Sequence, residues 1–411
     1  MNNKLNKLID PLTGIGNSEY FQKNYKSYNK HHQNSQLIMI DIEKFKHIND
    51  NLGHNIGDLY LKILAKILEK NFQDSLVVRI HGDEFIILTC LSENKINKVF
   101  QDIEKKIHLL VEREKIPAIF RINAGSCPFN INNIEETMEK ADLMMYLAKK
   151  NSKFYQPYST ELWMQKKDEK EFITAFNKCL KSQNLSYTKK QLFSLSGTPQ
   201  EIYQIYTNNP DGISLLGEEN YKLLRKNNLH YSLDNYNIIF LIEKLLSNPE
   251  KNIISIDYLS LIKNNNIIKY LAKLSTIQKE NFKKIIINIK VYPETSREEL
   301  ILCIKKIEEL KALGFMIKID KINDFTRDAI FQYAPIDYVG FDNDYVRKAM
   351  YDSQVNYFLT KKIDMITNFP NSTIIPVFSH INTASEFEHI NKYYPKNSLA
   401  NGKYYTKKRK N

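Results

Sequence analysis

The sequence predicts an α/β protein with two domains. Its 411 residues are too many for one ordinary core, since a domain usually holds roughly 150 to 250 residues or fewer. Apolar runs of strand length alternate with stretches of helical period along the whole chain. Between the two halves, the segment 151–170 is polar and contains Pro157. We predict domains over 1–155 and 171–411, joined by a linker over 156–170.

The first domain is predicted from the spacing of its apolar residues. Over Leu59–Leu68 they recur at helical spacing, whereas Leu37–Ile40 is a continuous apolar run typical of a strand. Two β-rich runs flank the tetrapeptide HGDE at 81–84, whose glycine indicates a hairpin turn. In chain order we predict a helix over Tyr20–Tyr28, a strand over Leu37–Ile40, a helix over Leu59–Leu68, strands over Leu76–Ile80 and Phe85–Leu88, a helix around Val99–Val111, a strand near Ala118–Ala124 and a helix over Ile134–Lys150.

The second domain repeats this mixture of strands and helices. A helix over Glu298–Leu313 is followed by Gly314, the residue type that most often ends a helix. Strands separated by helices indicate a parallel sheet or a barrel. The predicted strands are Ile253–Ile256, Ile285–Ile289, Met316–Ile319, Tyr338–Phe341 and Ile374–Phe378.

The composition narrows the class of protein. With 42% apolar and 11% aromatic residues, the chain has enough apolar surface for a sizeable core. It has 59 Lys and Arg against 47 Asp and Glu, and this net charge of +12 favours anionic partners. A genome of low GC content, which enriches Lys, Asn and Ile, explains the same excess of basic residues without any functional demand. Four widely separated cysteines indicate neither disulfides nor a zinc site. No apolar run approaches the ~18 residues of a membrane span, so we expect a cytoplasmic protein.

Acidic residues lie at the ends of predicted strands. Asp41 follows an apolar run, and Asp83 and Glu84 form the tip of the hairpin. If these strands are neighbours, three carboxylates gather at one edge of a sheet and repel one another without a cation. Hard oxygen ligands favour Mg²⁺ or Mn²⁺, whose coordination substrate phosphates then complete. The sequence therefore predicts a metal and nucleotide site at this edge.

Basic and amide residues near these carboxylates suit the rest of a nucleotide. Lys46 lies in the turn after the first strand, and Lys149 and Lys153, four residues apart, add positive charge for phosphates. A carboxylate accepts from guanine N1–H and N2–H₂, and an amide both donates and accepts, so Asp58 and Asn49 suit a guanine edge. Taken singly, each of these residues is more often a solvated turn or cap residue than part of a binding site.

Four motifs in register carry a family resemblance. They are DPLTGIGN at 10–17, IDIEKFKHINDNLGHNIGD at 40–58, RIHGDEF at 79–85 and YLAKKNSK at 146–153. Together they resemble the GGDEF domain of diguanylate cyclases, over about the first 155 residues. The resemblance implies a palm-like ferredoxin fold, related to nucleotide cyclases and polymerases, and an enzyme that condenses two GTP into cyclic di-GMP.

The resemblance assigns roles to the matching residues. It implies that Asp41 and Asp83 bind Mg²⁺ or Mn²⁺ with help from Glu84 and the Ile42 carbonyl, and that Asp83 and Glu84 serve catalysis. The metal then stabilises the charge that develops as a 3′-oxygen attacks an α-phosphate. Since each domain holds one GTP, a homodimer is implied. The implied substrate-binding residues are Phe45, Lys46, Asn49, Asp58, Lys149 and Lys153.

Two positions depart from the family pattern. The first glycine of the motif is replaced by His81, whose imidazole is expected to crowd the site or strain a tight turn. Where the family has the RxxD tetrapeptide of its inhibitory product site, residues 72–75 read FQDS. Feedback inhibition by that route is therefore not expected.

The second domain resembles, more faintly, the EAL phosphodiesterase barrel that commonly follows a GGDEF domain. Asp320 and Asp342 match carboxylates of that family, whereas the other motif positions differ from it, and Gly340 replaces the lysine of its KxD motif. Without clustered carboxylates the domain cannot bind metal and activate water, so we expect it to serve regulation or dimerisation. The replaced positions read Gln204, Ile205, Tyr206, Asn288, Lys321, Gly340, Ser379 and Asn382.

The leading hypothesis is a diguanylate cyclase fused to an inactive EAL-like barrel. The alternative is a signalling scaffold that binds GTP, cyclic di-GMP or a protein partner without turnover. Nucleic-acid binding through the basic surface ranks last, because the sequence carries no RNA- or DNA-binding motif.

Overall fold

The computed structural model describes residues 6–32, 34–113, 120–368 and 373–407. The chain divides into two compact units, Met1–Asp168 (unit 1) and Glu169–Asn411 (unit 2). The division falls within one helix, Thr160–Lys181. The segment predicted as a linker is therefore helical from Thr160 onward, because it is rich in Glu, Lys, Gln and Met, which favour helix.

Unit 1 contains one sheet and its helices. Its helices are α1 (Ser18–His31), α2 (Phe45–Leu52), α3 (His54–Asn71), α4 (Glu93–Arg113), α5 (Ile134–Lys150) and the first part of α6 (Thr160–Lys181). Its strands are β1 (Gly16–Asn17), β2 (Gln36–Ile42), β3 (Leu76–His81), β4 (Glu84–Thr89), β5 (Ile122–Pro128) and β6 (Tyr155–Gln156). In the part of the chain that the structure describes, they form one sheet in the order β1-β3-β4-β2-β5-β6.

Strand β2 lies at the centre of this sheet and is covered on both faces. It pairs antiparallel with β4 on one side and with β5 on the other. Its alternate residues Ile38, Ile40 and Ile42 join one apolar cluster, whereas Leu37 joins the cluster on the opposite face. Asp41 is therefore a polar residue near the end of an otherwise apolar, buried strand.

The predicted elements of unit 1 are confirmed with one shift of position. Helix α5 has the predicted bounds Ile134–Lys150, and the β3–β4 hairpin lies where the glycine indicated it. The strand predicted near Ala118–Ala124 is observed at Ile122–Pro128. Residues 118 and 119 lie outside the described residues.

Helix α5 approaches β5 very closely at Gly125. A β-carbon at this position would overlap backbone atoms of Ala141, Met144 and Met145. Glycine at 125 therefore sets the distance between helix and sheet. Lys149 lies one turn further along α5, so this contact also positions a predicted site residue.

Unit 2 contains the second part of α6 and further helices and strands. The helices are α7 (Glu218–Lys226), α8 (His230–Tyr236), α9 (Ile242–Leu246), α10 (Tyr258–Lys263), α11 (Asn265–Phe282), α12 (Arg297–Leu313), α13 (Ala329–Tyr333), α14 (Asn343–Tyr351), α15 (Ser353–Thr367), α16 (Ala384–Tyr393) and α17 (Lys403–Lys407). The strands are β7 (Ser186–Ser194), β8 (Pro199–Asn208), β9 (Lys251–Asp257), β10 (Ile285–Lys290), β11 (Met316–Ile322), β12 (Tyr338–Phe341), β13 (Ile375–Phe378) and β14 (Leu399–Ala400).

These described strands of unit 2 close into a barrel. Their order is β10-β11-β12-β13-β14-β7-β8-β9. Strand β7 is antiparallel to both of its neighbours, and the other pairs are parallel. The barrel closes where Leu399 of β14 pairs with Ser194 of β7. The predicted α/β barrel is confirmed, and so is the end of α12 at Gly314, which has φ of +105°.

Among the helices of the described residues, none has an apolar stretch long enough to cross a membrane.

Candidate nucleotide and metal site

The tip of the β3–β4 hairpin carries the acidic motif. His81 ends β3 and pairs with Glu84, the first residue of β4. Gly82 takes the left-handed backbone, with φ of +53°, whereas His81 is exposed and has no positive φ. The backbone strain expected at His81 is therefore absent, because the adjacent glycine is the residue that makes the turn.

Arg79 braces this turn. Its Nε donates to the Gly82 carbonyl over 2.8 Å, and its Nη1 lies 3.1 Å from Oδ1 of Asp10. Asp10 also accepts from the backbone N–H and the hydroxyl of Thr13, over 2.9 and 2.6 Å. Burial opposes ionisation of Asp10, but the hydrogen bonds from Thr13 and Arg79 outweigh it and hold its pKa below the usual value. The DPLTGIGN motif thus supports the hairpin, a role that sequence analysis did not assign.

Asp41 and Asp83 lie side by side. Asp41 is next to last in β2, and 14% of its side chain is exposed. Burial, followed by a hydrogen bond with Asp41 and the charge of Asp41, raises the pKa of Asp83 to about 6. Two carboxyl groups this close resist being ionised together. The structure therefore brings together two of the predicted metal ligands.

The third predicted carboxylate does not join this pair. Glu84 is exposed, and within the described ranges no three or more His, Cys, Asp or Glu side chains are grouped to hold a metal ion. Mg²⁺ nevertheless often binds through one or two carboxylates and completes its coordination with water and substrate phosphates. Asp41 and Asp83 fit such an ion. The roles of Glu84 and of the Ile42 carbonyl stay predictions.

The three lysines predicted to bind phosphates differ in their surroundings. Nζ of Lys149 lies 2.6 Å from Oδ2 of Asp41, and this hydrogen bond raises the pKa of Lys149. Nζ of Lys153 lies 3.4 Å from Oε1 of Gln156, and Lys46 is exposed in the first turn of α2. Lys149 must therefore leave Asp41, or share it, before it can contact a phosphate.

Asn49 has an amide oxygen without a partner. Its Oδ1 is buried and accepts no hydrogen bond from the described residues, which costs about 1 to 3 kcal/mol unless a ligand or water satisfies it. Helices α2 and α3 meet here, since a β-carbon on Gly57 would overlap this oxygen and lie 3.2 Å from Cζ of Phe45. The structure thus brings Phe45 and Asn49 together at Gly57. Asp58, the other predicted base-reading residue, is the next residue of α3.

Sequence analysis missed two residues of this region. Gly57 permits the close approach of α2 and α3, and a glycine inside a helical pattern was the available signal. Asn123 is fully buried opposite Asp41 in the β2–β5 pair, and its Nδ2 donates to the Lys153 carbonyl over 2.9 Å. Its signal was a polar residue within an apolar strand. Asn123 anchors the loop that carries Lys153.

Two of the replaced positions of unit 2 contact the carboxylates that match the EAL pattern. Nδ2 of Asn288 donates to Oγ of Ser255 over 2.8 Å and to Oδ2 of Asp320 over 3.0 Å. Nζ of Lys321 lies 3.1 Å from Oδ2 of Asp342. Both carboxylates that match the EAL pattern therefore already have donors from the chain itself.

The acidic hairpin of unit 1 lies within a stretch of the chain that matches a known family. Residues 7–154 match the family model described as diguanylate cyclase, GGDEF domain. The chain is 29% identical to the probable diguanylate cyclase DgcC of Escherichia coli (strain K12) over 150 residues, which are 34% of this chain and 40% of that protein. It is 31% identical to the diguanylate cyclase DgcS of Shewanella oneidensis over 160 residues, 34% of this chain and 49% of that protein. The chain therefore spans less than half of each relative, and unit 1 contains a GGDEF domain.

Two solved structures resemble the chain loosely. The Vibrio cholerae LapD S helix-GGDEF-EAL structure bound to c-di-GMP covers 98% of this chain, and 97% of that chain is matched, with a TM-score of 0.48 and 15% identity. The FimX EAL domain from Pseudomonas aeruginosa bound to c-di-GMP covers 57% of this chain, and 94% of that chain is matched, with a TM-score of 0.45 and 14% identity. Neither overlap defines unit 2, whose barrel is established by its own strand pairing.

Proposed function

We propose that this protein is a diguanylate cyclase, which condenses two GTP into cyclic di-GMP and releases two pyrophosphates. The observation that supports this most is the side-by-side placement of Asp41 and Asp83. It occurs within a unit that contains a GGDEF domain. A nucleotidyl transfer of this kind needs a divalent cation next to the reacting phosphate, and these two carboxylates suit one.

In the proposed reaction, Asp41 and Asp83 hold Mg²⁺ or Mn²⁺ together with GTP, and Glu84 and the Ile42 carbonyl assist. When bound, the ion offsets the negative charge that develops at the α-phosphate. Lys46, Lys149 and Lys153 offset the charge of the remaining phosphates. The 3′-hydroxyl of one GTP forms the new bond to phosphorus, loses its proton, and displaces pyrophosphate. The 3′-hydroxyl of the other GTP then attacks the remaining α-phosphate, loses its proton and displaces the second pyrophosphate, which closes the ring. Since each unit 1 holds one GTP, two copies must face each other in a homodimer.

Product formation tests this function directly. The purified chain, incubated with GTP and Mg²⁺ or Mn²⁺, is expected to release cyclic di-GMP and pyrophosphate, measured by chromatography with mass detection. If a folded, dimeric protein forms no product with either ion, the cyclase proposal is wrong.

A scaffold that binds GTP, cyclic di-GMP or a protein without turnover is the second candidate. The observation that favours it is the 2.6 Å ion pair between Lys149 and Asp41, which engages an oxygen that the metal would use. Binding of a GTP analogue without synthesis would support this candidate.

Guanine selectivity is expected to depend on Asn49. In Asn49→Ala, affinity for a non-hydrolysable GTP analogue should fall about 5- to 150-fold, the equivalent of the 1 to 3 kcal/mol lost when a polar group of the base is left unpaired. Affinity for the matching ATP analogue should change little, because adenine lacks the N1–H and N2–H₂ donors. Calorimetry measures both.

Asn51→Ala is the matched control for this measurement. Asn51 lies on the same helix, is exposed, and donates its Nδ2 to the His47 carbonyl within that helix. Equal losses in Asn49→Ala and Asn51→Ala, or equal affinities of the normal chain for the two analogues, would remove Asn49 from the proposed base site.

Unit 2 is proposed to act as a regulatory or dimerisation module without phosphodiesterase activity. The full chain carrying Asp83→Ala, which suppresses synthesis, should release no linear dinucleotide from cyclic di-GMP with Mg²⁺ or Mn²⁺. Adding Asn288→Glu should not restore hydrolysis, because Lys321 and the other replaced positions still lack carboxylates. Cleavage above a no-enzyme control by Asp83→Ala alone would show that unit 2 is a phosphodiesterase. Cleavage only after adding Asn288→Glu would show that the replaced positions are assigned to the wrong residues.

A further inference from the structure

A lysine is buried inside the barrel of unit 2. Lys318 lies on β11 and is fully buried, and its Nζ lies 3.2 Å from Oδ2 of Asp320 on the same strand. Apart from this ion pair, its Nζ has no hydrogen-bond partner among the described residues. A buried ammonium is strongly unfavourable without a counter-charge. Asp320 is therefore the counter-charge on which Lys318 depends.

The ammonium of Lys318 occupies space beside β12 that is open because Gly340 has no side chain. Strands β11 and β12 run parallel, with Lys318 opposite Tyr338. A β-carbon added at Gly340 of β12 would lie 2.8 Å from Nζ and 2.9 Å from Cε of Lys318, and it would overlap Oδ1 of Asp320. A side chain at position 340 would therefore require the ends of the Lys318 and Asp320 side chains to shift.

The groups around Asp320 do not fit a divalent cation. Its Oδ2 lies 3.2 Å from the Lys318 ammonium and accepts a hydrogen bond from Nδ2 of Asn288 over 3.0 Å. Both neighbours are hydrogen donors, and one of them carries a full positive charge. A metal ion at Asp320 would need oxygen ligands where these N–H groups lie.

We propose that Lys318 is the built-in cation of this barrel, reaching from β11 into the space left by Gly340 and neutralising Asp320 in place of a divalent metal. Lys318 and Gly340 form a matched pair: the ammonium of Lys318 on β11 has room because position 340 on β12 has no side chain. The barrel then keeps its structure without Mg²⁺ or Mn²⁺. This inference concerns unit 2 alone and does not depend on cyclase activity in unit 1.

A double-mutant cycle in the full chain tests the pairing. Lys318→Ala removes the ion-pair partner of Asp320, and Gly340→Lys inserts a side chain where Lys318 already lies. Each single variant should speed hydrogen exchange of the β10–β12 peptides by about 100-fold or more, since breaking a buried ion pair or overfilling a core is costly. The double variant should exchange more slowly than either single variant, because an ammonium again lies beside Asp320 once its carboxylate shifts away from the added β-carbon. Exchange in the double variant as fast as in the faster single variant would overturn the proposal.

Lys321 provides the control cation. It is next to Asp320 in sequence, but its Nζ pairs with Asp342 at 3.1 Å. Lys321→Ala combined with Gly340→Lys should therefore exchange as fast as Gly340→Lys alone. Rescue by this control as complete as that by Lys318→Ala would show that Lys318 is not the specific partner of position 340.

A measurement on the unsubstituted chain keeps the test decisive if Lys318→Ala does not fold. Exchange of the β10–β12 peptides should be the same with EDTA as with added MnCl₂. Slowing by Mn²⁺ confined to these peptides would mean that a metal supplies the cation of the barrel, and it would overturn the proposal.

Discussion

Asp83→Ala is expected to lower cyclic di-GMP synthesis by about 1000-fold or more, since a bound metal supplies several kcal/mol of charge stabilisation in such reactions. Asp83 is one of the two carboxyl groups that the structure places side by side. Without Asp83, and with Lys149 paired to Asp41, the proposed metal loses one of the two carboxylates that lie side by side. The rate of product release from GTP and Mg²⁺ measures the loss.

The same substitution is expected to leave unit 1 folded. Because burial and Asp41 raise the pKa of Asp83 to about 6, an ionised Asp83 at neutral pH destabilises the fold, and removing it relieves repulsion. The melting temperature should therefore stay equal or rise. Asp102→Ala, which removes an exposed carboxylate from α4, is the control and should keep full activity. Near-normal synthesis by Asp83→Ala would exclude Asp83 from the proposed metal site.

Gly125→Ala is expected to destabilise unit 1 by about 3 kcal/mol, the upper end of the usual cost of overfilling a core. The added carbon would meet backbone atoms of α5, which cannot rotate away as a side chain can. Helix and sheet must separate instead, and Lys149 moves with the helix. Hydrogen exchange of peptides from β5 and α5 should become about 100-fold faster.

Gly217→Ala is the control for this effect. Gly217 has φ of −57°, and the nearest atom to an added β-carbon is the Ser214 carbonyl oxygen at 3.3 Å. An alanine there should change exchange only slightly. If Gly125→Ala behaves like Gly217→Ala, the close approach of α5 to β5 does not constrain position 125.

Local patterns predicted most elements of unit 1, because these elements carry clear sequence signals. A glycine between two β-rich runs marked the hairpin, and helical spacing marked α3 and α5. Strands β7 and β8 of the barrel were missed. In β7, lysines, a glutamine and a threonine interrupt the apolar residues, so the sequence shows no apolar run. Its pairing with β8 and β14 defines this segment as a strand.

The candidate site was predictable as a set of residues but not as a set of contacts. The order of motifs indicated Asp41, Asp83 and Lys149, yet the pairing of Lys149 with Asp41 joins residues from opposite ends of unit 1. Likewise, the buried oxygen of Asn49 depends on how two helices pack at Gly57. Such contacts follow from tertiary packing, which residue spacing does not specify.

The closure of the barrel also bears on the order in which the chain folds. Strand β14 completes the barrel by pairing with β7, from the other end of unit 2. During synthesis, all strands of unit 1 leave the ribosome long before β14 does. Until β14 emerges, one edge of β7 stays unpaired. Contacts between such distant segments form slowly, and exposed strand edges favour aggregation. Unit 2 is therefore the part of this protein in which a nascent chain is most exposed to misassembly, and the one whose yield should benefit most from chaperones.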